Sequence, residues 1–460
     1  MNKLSEEVER RVLKAFHRAA SDVKAYRTLL DEREVEADSV VDLESFSRVC
    51  PLLSKENTFD RFPLDELCGR GSLEDLLGVL TSSGHGGRFS FGLISRSEAK
   101  RQTQFVDHEL HAAFQVRGRS TLAINCLPMG VGFSSNAVTV ATTSVREDMA
   151  VALVTAFGKY YEQLLLIGDP LFMTKLVDYS ARQGVEWGRY RVNVVLGEEI
   201  FGEHFRDYVA DRLRLDLDHP DAGYIMSSFG VGELGLNLCH ETRATVALRR
   251  AAFKDRVVAR ELLGVDTDEA PPPLILTFEP LRLFVEVIEP DGDGYGSAAM
   301  SMLDPETLVP LLRYQTGDVI RLLDPVRVNE VVRRLELSTM GEVPPNLLAL
   351  KGRRNETLPN GSHVGVYKDA LYADREVAPH ITGAFRLIFT TDGLVMHIQL
   401  AEAQVPRASL EHGILQAIPI AKRPARLVFW PYRRFPFGMT VDYERKFSYY
   451  VAGEADPPDN

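Results

Sequence analysis

Apolar and polar positions alternate in blocks along this chain, and their period changes from block to block. In "MNKLSEEVERRVLKAFHRAASDVKAYRTLL", Val12, Phe16, Ala19, Ala20 and Val23 recur at helical spacing, with charges around them. That spacing predicts an amphipathic helix, and the stretch lacks the apolar centre of a signal peptide. "CPLLSKENTFDRFPLDEL" reads as a loop entering a helix capped by Ser54, with Pro63 as a break. Further on, "STLAINCL" predicts a strand, and "REDMAVALVTAFGKYYEQLLLIG" a helix followed by a strand. "RYRVNVVLG" predicts another strand. "GEHFRDYVADRLRL" predicts a helix with Phe205, Val209 and Leu213 on one face, and "AGYIMSSFG" the next strand. Strands and helices in alternation predict an α/β protein with buried sheets. "DTDEAPPPL" breaks the pattern near 266–274, and "PLILTFEPLRLFVEVIEP" then alternates like an antiparallel pair. The polar, proline-containing tail "GEADPPDN" predicts disorder.

Length and charge narrow the class. At 460 residues two domains are expected, one of them large. A hydrophobic content of 45% and a charged content of 26% are those of a globular protein. A net charge of -12 argues against a nucleic-acid surface, which needs clustered Lys and Arg. No run reaches the ~18 apolar residues of a membrane span, so a cytoplasmic protein is expected. Cys50, Cys68, Cys126 and Cys239 form no C-x-x-C pair, which suits a reducing compartment. Cys239-His240 and His108 with His111 lack a second half of a zinc site and read as a buried thiol and ordinary histidines.

Four stretches carry candidate chemistry. In "VLTSSGHGGRFSFG", residues Ser82, Ser83, Gly84, Gly86, Gly87 and Arg88 combine hydroxyls, glycines and a cation. Successive backbone N–H groups in such a turn make an anion nest, although no G-K-[ST] closes a Walker loop. "SSFGVGELG" contains G-x-G-x-x-G at Gly230, Gly232 and Gly235. A dinucleotide site there would imply an oxidoreductase, but the following "LNLCHET" is a poor helix. Glu233 in the same turn is a hard oxygen ligand suited to a Mg²⁺–triphosphate complex. In "VPLLRYQTGDVIRLL", Asp318 follows a glycine between apolar runs and could accept two ribose hydroxyls. "ALKGRRNETLPNGSHVGVYKDAL" is a basic, glycine-containing loop before a new amphipathic run.

In this order the four stretches resemble the adenylate-forming superfamily, within it the phenylacetate–CoA ligase branch, with S-S-G-T-T-G-K-P, Y-G-x-x-E, R-Y-R-T-x-D-x-x-R-L and K-G-R-x-D motifs. The resemblance extends to "PLLSKEN", "LLLIGDPLFMTKLVD" and "VVLGEEIFGEHFRDYVADRL", and so runs along nearly the whole chain. It implies a large α/β domain of layered sheets flanked by helices over residues 1–352. A small, mobile α+β domain over 353–460 would follow. The implied activity uses ATP and Mg²⁺ to convert a carboxylic acid to an acyl-adenylate, then transfers the acyl group to a thiol of CoA or an acyl carrier protein.

By match, the 82–88 loop would cradle phosphates. Gly197, Glu198, Phe229 and Gly230 would line the adenine slot, Glu233 would hold Mg²⁺, and Asp318 the ribose. Arg353 would open the small domain, with the hinge at Arg354 and Asn355. Met129 and Phe133 would wall an acyl pocket suited to an aryl or apolar acid. The chain departs from the pattern at Arg88, where lysine is usual, at His85 and Gly86, which replace two threonines, and at Asn355, where aspartate is usual. It also lacks the C-terminal G-K, so Lys446 becomes the candidate adenylation lysine, with Lys422 next. A nucleotide-binding homologue without turnover is the alternative expectation. The oligomeric state is left open, a homodimer being one option.

Overall fold

The computed structural model describes residues 3–81, 89–128, 130–266, 270–438, 443 and 446–457. The N-terminal amphipathic stretch forms two helices, Lys3–Asp22 and Lys24–Asp31. Val12, Phe16, Ala19, Ala20 and Val23 are all buried, as their spacing predicts. Ser54 caps a turn through the Asn57 amide rather than a helix, which starts only at Leu64 after Pro63.

Strands β1 (Leu76–Thr81) and β2 (Phe91–Ser95) form an antiparallel hairpin. A parallel set follows: β3 (Thr121–Asn125), β4 (Thr139–Thr142), β5 (Gln163–Gly168) and β6 (Arg191–Leu196). Every residue of β3 and β5 is buried, which is why these segments read as continuous apolar runs rather than alternating ones. Helix Pro170–Arg182 crosses over from β5 to β6 and helix Glu203–Leu213 leads out of β6, the first capped by the Asp169 carboxylate on the Phe172 amide at 3.0 Å.

β7 (Ile225–Val231) is the seam of the molecule. Its first half, Ile225–Ser227, pairs parallel with β6, and its second half pairs antiparallel with β8 (Gly235–His240). Beyond it the sheet is antiparallel: β9 (Leu274–Phe278), β10 (Leu283–Ile288), β11 (Gly296–Met302), β12 (Tyr314–Leu323) and β13 (Leu347–Arg353). The eleven strands run β10-β11-β12-β13-β9-β8-β7-β6-β5-β3-β4. β9 and β10 therefore do not pair with each other as their alternation predicts. The chain turns at Glu279–Arg282, and β10 takes the outer edge beside β11, while β9 is inserted between β8 and β13.

Buried ion pairs fix the seam from behind. Arg206 lies between Glu203 at 3.0 Å and Glu241 at 2.9 Å, and it also donates to the Ile225 carbonyl. Glu241 in turn accepts from the Ser227 amide at 2.8 Å. With all these charges buried and mutually paired, the backbone at the change of partner is over-determined.

Strands β14 (Ile381–Thr390), β15 (Gly393–Leu400) and β16 (Arg426–Trp430) form a separate three-stranded C-terminal sheet. Its apolar face joins the cluster around helix Pro170–Arg182: Leu171, Phe172, Tyr372, Phe385 and Met396 belong to one buried core. The described part of the tail read as disordered, residues 453–457, is strapped to this sheet. Glu454 pairs with Arg386, and Asp456 with His397 at 2.9 Å and Arg426 at 2.8 Å. A polar composition hid this, because Glu454 and Asp456 each find a fixed arginine.

Candidate active site

Ligands bind α/β sheets outside the carboxyl ends of their parallel strands, and here that region meets the antiparallel half. A cleft of about 1450 Å³ opens there. The formal G-x-G-x-x-G does not open a helix. Gly230, Gly232 and Gly235 lie in and beside the turn between antiparallel strands β7 and β8, so the dinucleotide reading, and the oxidoreductase with it, loses its structural context. That turn carries Glu233, whose Oε1 accepts from Ser90 and, at 3.2 Å, from the Tyr314 hydroxyl. Burial and the neighbouring Glu233 push the Tyr314 phenol well above its ordinary range, so it stays a donor.

The β1–β2 hairpin lies across this turn. A Cβ on Gly92 would sit 2.0 Å from the Gly232 carbonyl oxygen, so only glycine allows the approach. The 82–88 loop that joins the two strands, with Ser82, Ser83, Gly84, Gly86, Gly87 and Arg88, lies outside the described residues, as does Met129. Its anchors, Thr81 and Ser90, both line the cleft.

Asp318 is placed by an irregularity. β12 carries extra residues against β11 between the Gln315–Ala299 and Val319–Ser297 partners, and Gly317 adopts φ +82 there. The bulge leaves Asp318 buried, opposite Arg353 on β13, with the guanidinium Nε 3.8 Å from Oδ1. Burial raises its pKa against the pull of Arg353, and its Oδ2 has no hydrogen-bond partner within the protein. A buried acceptor of this kind fits a ligand hydroxyl.

Lys446 enters the cleft from the other side and donates to the Glu198 carbonyl at 2.7 Å. Glu198 follows Gly197 at the end of β6 with φ +69, a strained turn of a kind that gathers at functional sites. Burial first, and then Arg353, lowers the Lys446 ammonium below the ordinary lysine range. Lys422 is not among the cleft-lining residues, whereas Lys446 is. Phe229, Gly230, Phe133, Arg354 and Asn355 also line the cleft, and Arg354 donates to Ser297 at 2.5 Å.

Several cleft residues carried no sequence signal that singled them out. Lys368 lies 3.1 Å from Glu199 and 3.6 Å from Glu356, beneath the Tyr449 ring. Burial alone would lower this lysine, but the two carboxylates raise it. Against burial, Lys368 and His363 hold Glu356 down at about 2. Lys55, Ser90, Tyr314 and Lys368 converge here from four separate parts of the chain; each lies within a stretch that carries the resemblance, but none was picked out as a site residue. Among the described residues no group of three or more His, Cys, Asp and Glu side chains could hold a metal. No helix among them is long and apolar enough to cross a membrane.

No family model matches the sequence, and no curated protein matches it significantly. The structure is similar to that of 2-hydroxyisobutyryl-CoA ligase in its postadenylation state with an acyl-AMP. The TM-score is 0.67 at 11% identity, covering 97% of this chain and 89% of that one. An open conformation of the same ligase, with 2-HIB-AMP and CoA, gives a TM-score of 0.56 at 12% identity, over 97% and 91% of the two chains. Its thioesterification state gives 0.55 at 12% identity, over 98% and 89%. The fold is that of adenylate-forming CoA ligases.

Proposed function

We propose, from this fold and the groups gathered at its seam, that the protein is an acid–thiol ligase working through an acyl-adenylate. The observation that carries the reading is the convergence of Glu233, Asp318, Arg353 and Lys446 in one cleft beneath the β1–β2 hairpin. A carboxylate oxygen attacks the α-phosphorus of ATP, the bond to the bridging oxygen breaks, and pyrophosphate leaves. Two anions must approach, so the protein's contribution is positioning and charge neutralisation. Lys446 is the cation beside both groups, and its ammonium is displaced from the Glu198 carbonyl onto them. Arg88 and the 82–88 loop hold the β- and γ-phosphates. Asp318 accepts the ribose hydroxyls, and Gly197, Glu198, Phe229 and Gly230 bound the adenine.

Glu233 fits a Mg²⁺ ion carried in with ATP, because Mg²⁺ takes one or two protein carboxylates plus phosphate oxygens and water. The ion supplies charge neutralisation on the phosphates. Ser90 and Tyr314 orient the carboxylate that holds it. Residues 353–460 form the small domain, hinged at Arg354 and Asn355, which re-positions for attack of a CoA or carrier-protein thiol on the acyl carbonyl with release of AMP. The higher overlap with a postadenylation state than with a thioesterification state supports an adenylation-type pose here. The acid has an aryl or apolar body, consistent with Leu127, Phe133, Ile167, Val195 and Met226 on the cleft wall. The phenylacetate-type branch remains the reading of the sequence motifs.

The test is exchange of labelled pyrophosphate into ATP by the full chain with Mg²⁺ and a panel of aryl and aliphatic acids. Exchange with at least one acid is expected. Folded protein that binds ATP but exchanges with none would leave a binding protein without turnover.

A further inference from the structure

The acyl half of the cleft is not uniformly apolar. Helix Arg96–Phe114 presents Ala99, Gln102, Thr103, Val106, Glu109, Leu110 and Ala113 to it, positions that share a face at helical spacing. Facing that helix, β8 contributes Asn237 and His240. The His240 Nε2 lies 3.0 Å from Glu109 Oε2, and both side chains are largely buried at the cleft wall, 14% and 19% exposed. Arg282 completes the wall, donating to the Asn237 carbonyl at 3.2 Å with its guanidinium 4.3 Å above the Phe105 ring.

The charge around this wall leans acidic. Arg282 faces Glu98, Asp304 and Glu109, and Asp304 is also engaged by Arg101 at 2.8 Å. Burial raises the Glu109 carboxyl and, as the sole cause, holds His240 neutral at about 4. A neutral imidazole beside Glu109 does not cancel the carboxylate's charge. With Nε2 protonated, the neutral imidazole donates to Glu109 Oε2, and the second oxygen of this cleft-lining carboxylate has acceptor capacity for a ligand group.

We propose that Glu109, positioned by His240, is a specificity-determining residue that accepts from a hydroxyl or amino group on the body of the carboxylic acid. This rests on the ligase reading above and sharpens its substrate class. The acid has an apolar frame, which Leu110, Ala113, Val195 and Met226 contact, and carries a hydrogen-bond donor toward β8. A simple aryl or alkyl acid leaves the free acceptor capacity of Glu109 unused and shut off from water. Sites built to bond a donor discriminate strongly against analogues that lack it. Hydroxyl and ammonium donors share the recognition, so the probes include both.

The experiment compares benzoate, 4-hydroxybenzoate and 4-aminobenzoate, and hexanoate, 6-hydroxyhexanoate and 6-aminohexanoate, in pyrophosphate exchange. Equilibrium binding of each acid by calorimetry runs in parallel. The donor-bearing member of at least one series is expected to exceed its parent tenfold or more in kcat/KM and in affinity. Glu109→Gln and His240→Leu should each collapse that ratio toward one, with melting temperature confirming the fold. Parent acids that bind as well as or better than their donor-bearing partners overturn the proposal, as do variants that leave a preference intact. Exchange with no acid, while calorimetry still shows the donor preference, sinks the ligase reading and spares this one.

Discussion

Glu233 shows how a turn residue acquires a fixed orientation. Two hydroxyls from distant parts of the chain donate to one of its oxygens, so its direction is set by tertiary contacts rather than by the turn. Glu233→Gln keeps an acceptor for both donors and removes only the charge. Acyl-AMP formation should fall roughly a hundredfold, the scale of one lost transition-state contact, with little change in melting temperature. Near-normal turnover would return Glu233 to the status of a turn residue. Lys446→Ala should slow acyl-AMP formation by about 2–4 kcal/mol of barrier, read in single-turnover kinetics. Because burial lowers the Lys446 ammonium, the wild-type rate should decline with rising pH before the ordinary lysine range is reached. A pH–rate profile without that limb would count against this lysine. Asp169 tests the buried surroundings of the cleft. Burial pushes its carboxyl up to about 7 from 3.8, and its Oδ2 has no partner. Between those pH values the native state keeps a proton that the unfolded chain has lost, so stability falls as pH rises. Asp169→Asn preserves the cap and removes the titration. Its advantage over wild type should grow across that window and level off above about 7, at ~1–3 kcal/mol by denaturant unfolding. A pH-independent difference would refute the assignment.

Elements meet at this site only where small residues or irregular strands let them. The β1–β2 hairpin reaches the Glu233 turn because Gly92 has no Cβ. Gly92→Ala should lift the hairpin and weaken ATP binding more than tenfold, at a stability cost of about 1–3 kcal/mol for the overpacked contact. Unchanged ATP affinity by calorimetry would show that the hairpin does not position the phosphate loop. β12 illustrates the second route. The sequence reads as two apolar runs separated at Gly317, but Tyr314–Leu323 is one strand, and the bulge at Gly317 is what turns Asp318 toward Arg353. Periodicity does not show that a strand continues through such an irregularity, since the extra residues interrupt the apolar pattern.

The whole molecule poses a mechanical question. The C-terminal sheet shares a buried apolar core with helix Pro170–Arg182, and Tyr372 bonds the Thr174 hydroxyl at 2.9 Å within it. A swing of residues 353–460 about Arg354 and Asn355 must slide or break that packing, and large apolar interfaces resist such motion. Spin labels on cysteines introduced at the exposed positions Tyr160 and Ile420 would report it, since the four native cysteines are buried. Adding CoA to the acyl-AMP-loaded enzyme should shift the inter-label distance. One unchanged distance throughout would mean that thiol transfer occurs without the swing.

Most elements from Thr121 to Val231 were legible in the chain, because buried parallel strands and their crossover helices impose continuous and 3.6-residue apolar patterns; the short β4 and the helix Pro170–Arg182 were not read from it. The ordered motifs singled out Glu233, Asp318 and Arg353, whereas Lys446 was chosen because the usual G-K is missing; all four line one cleft. Strand neighbours beyond β8 were not legible, since alternation records which face is buried and not which strand lies alongside. Nor were Ser90 on Glu233, Lys368 between Glu199 and Glu356, or His240 against Glu109. Ser90–Glu233, Lys368–Glu199 and His240–Glu109 each join residues more than a hundred positions apart. Local patterns are written by the chain's own periodicity, whereas these contacts exist only once packing brings separate surfaces together.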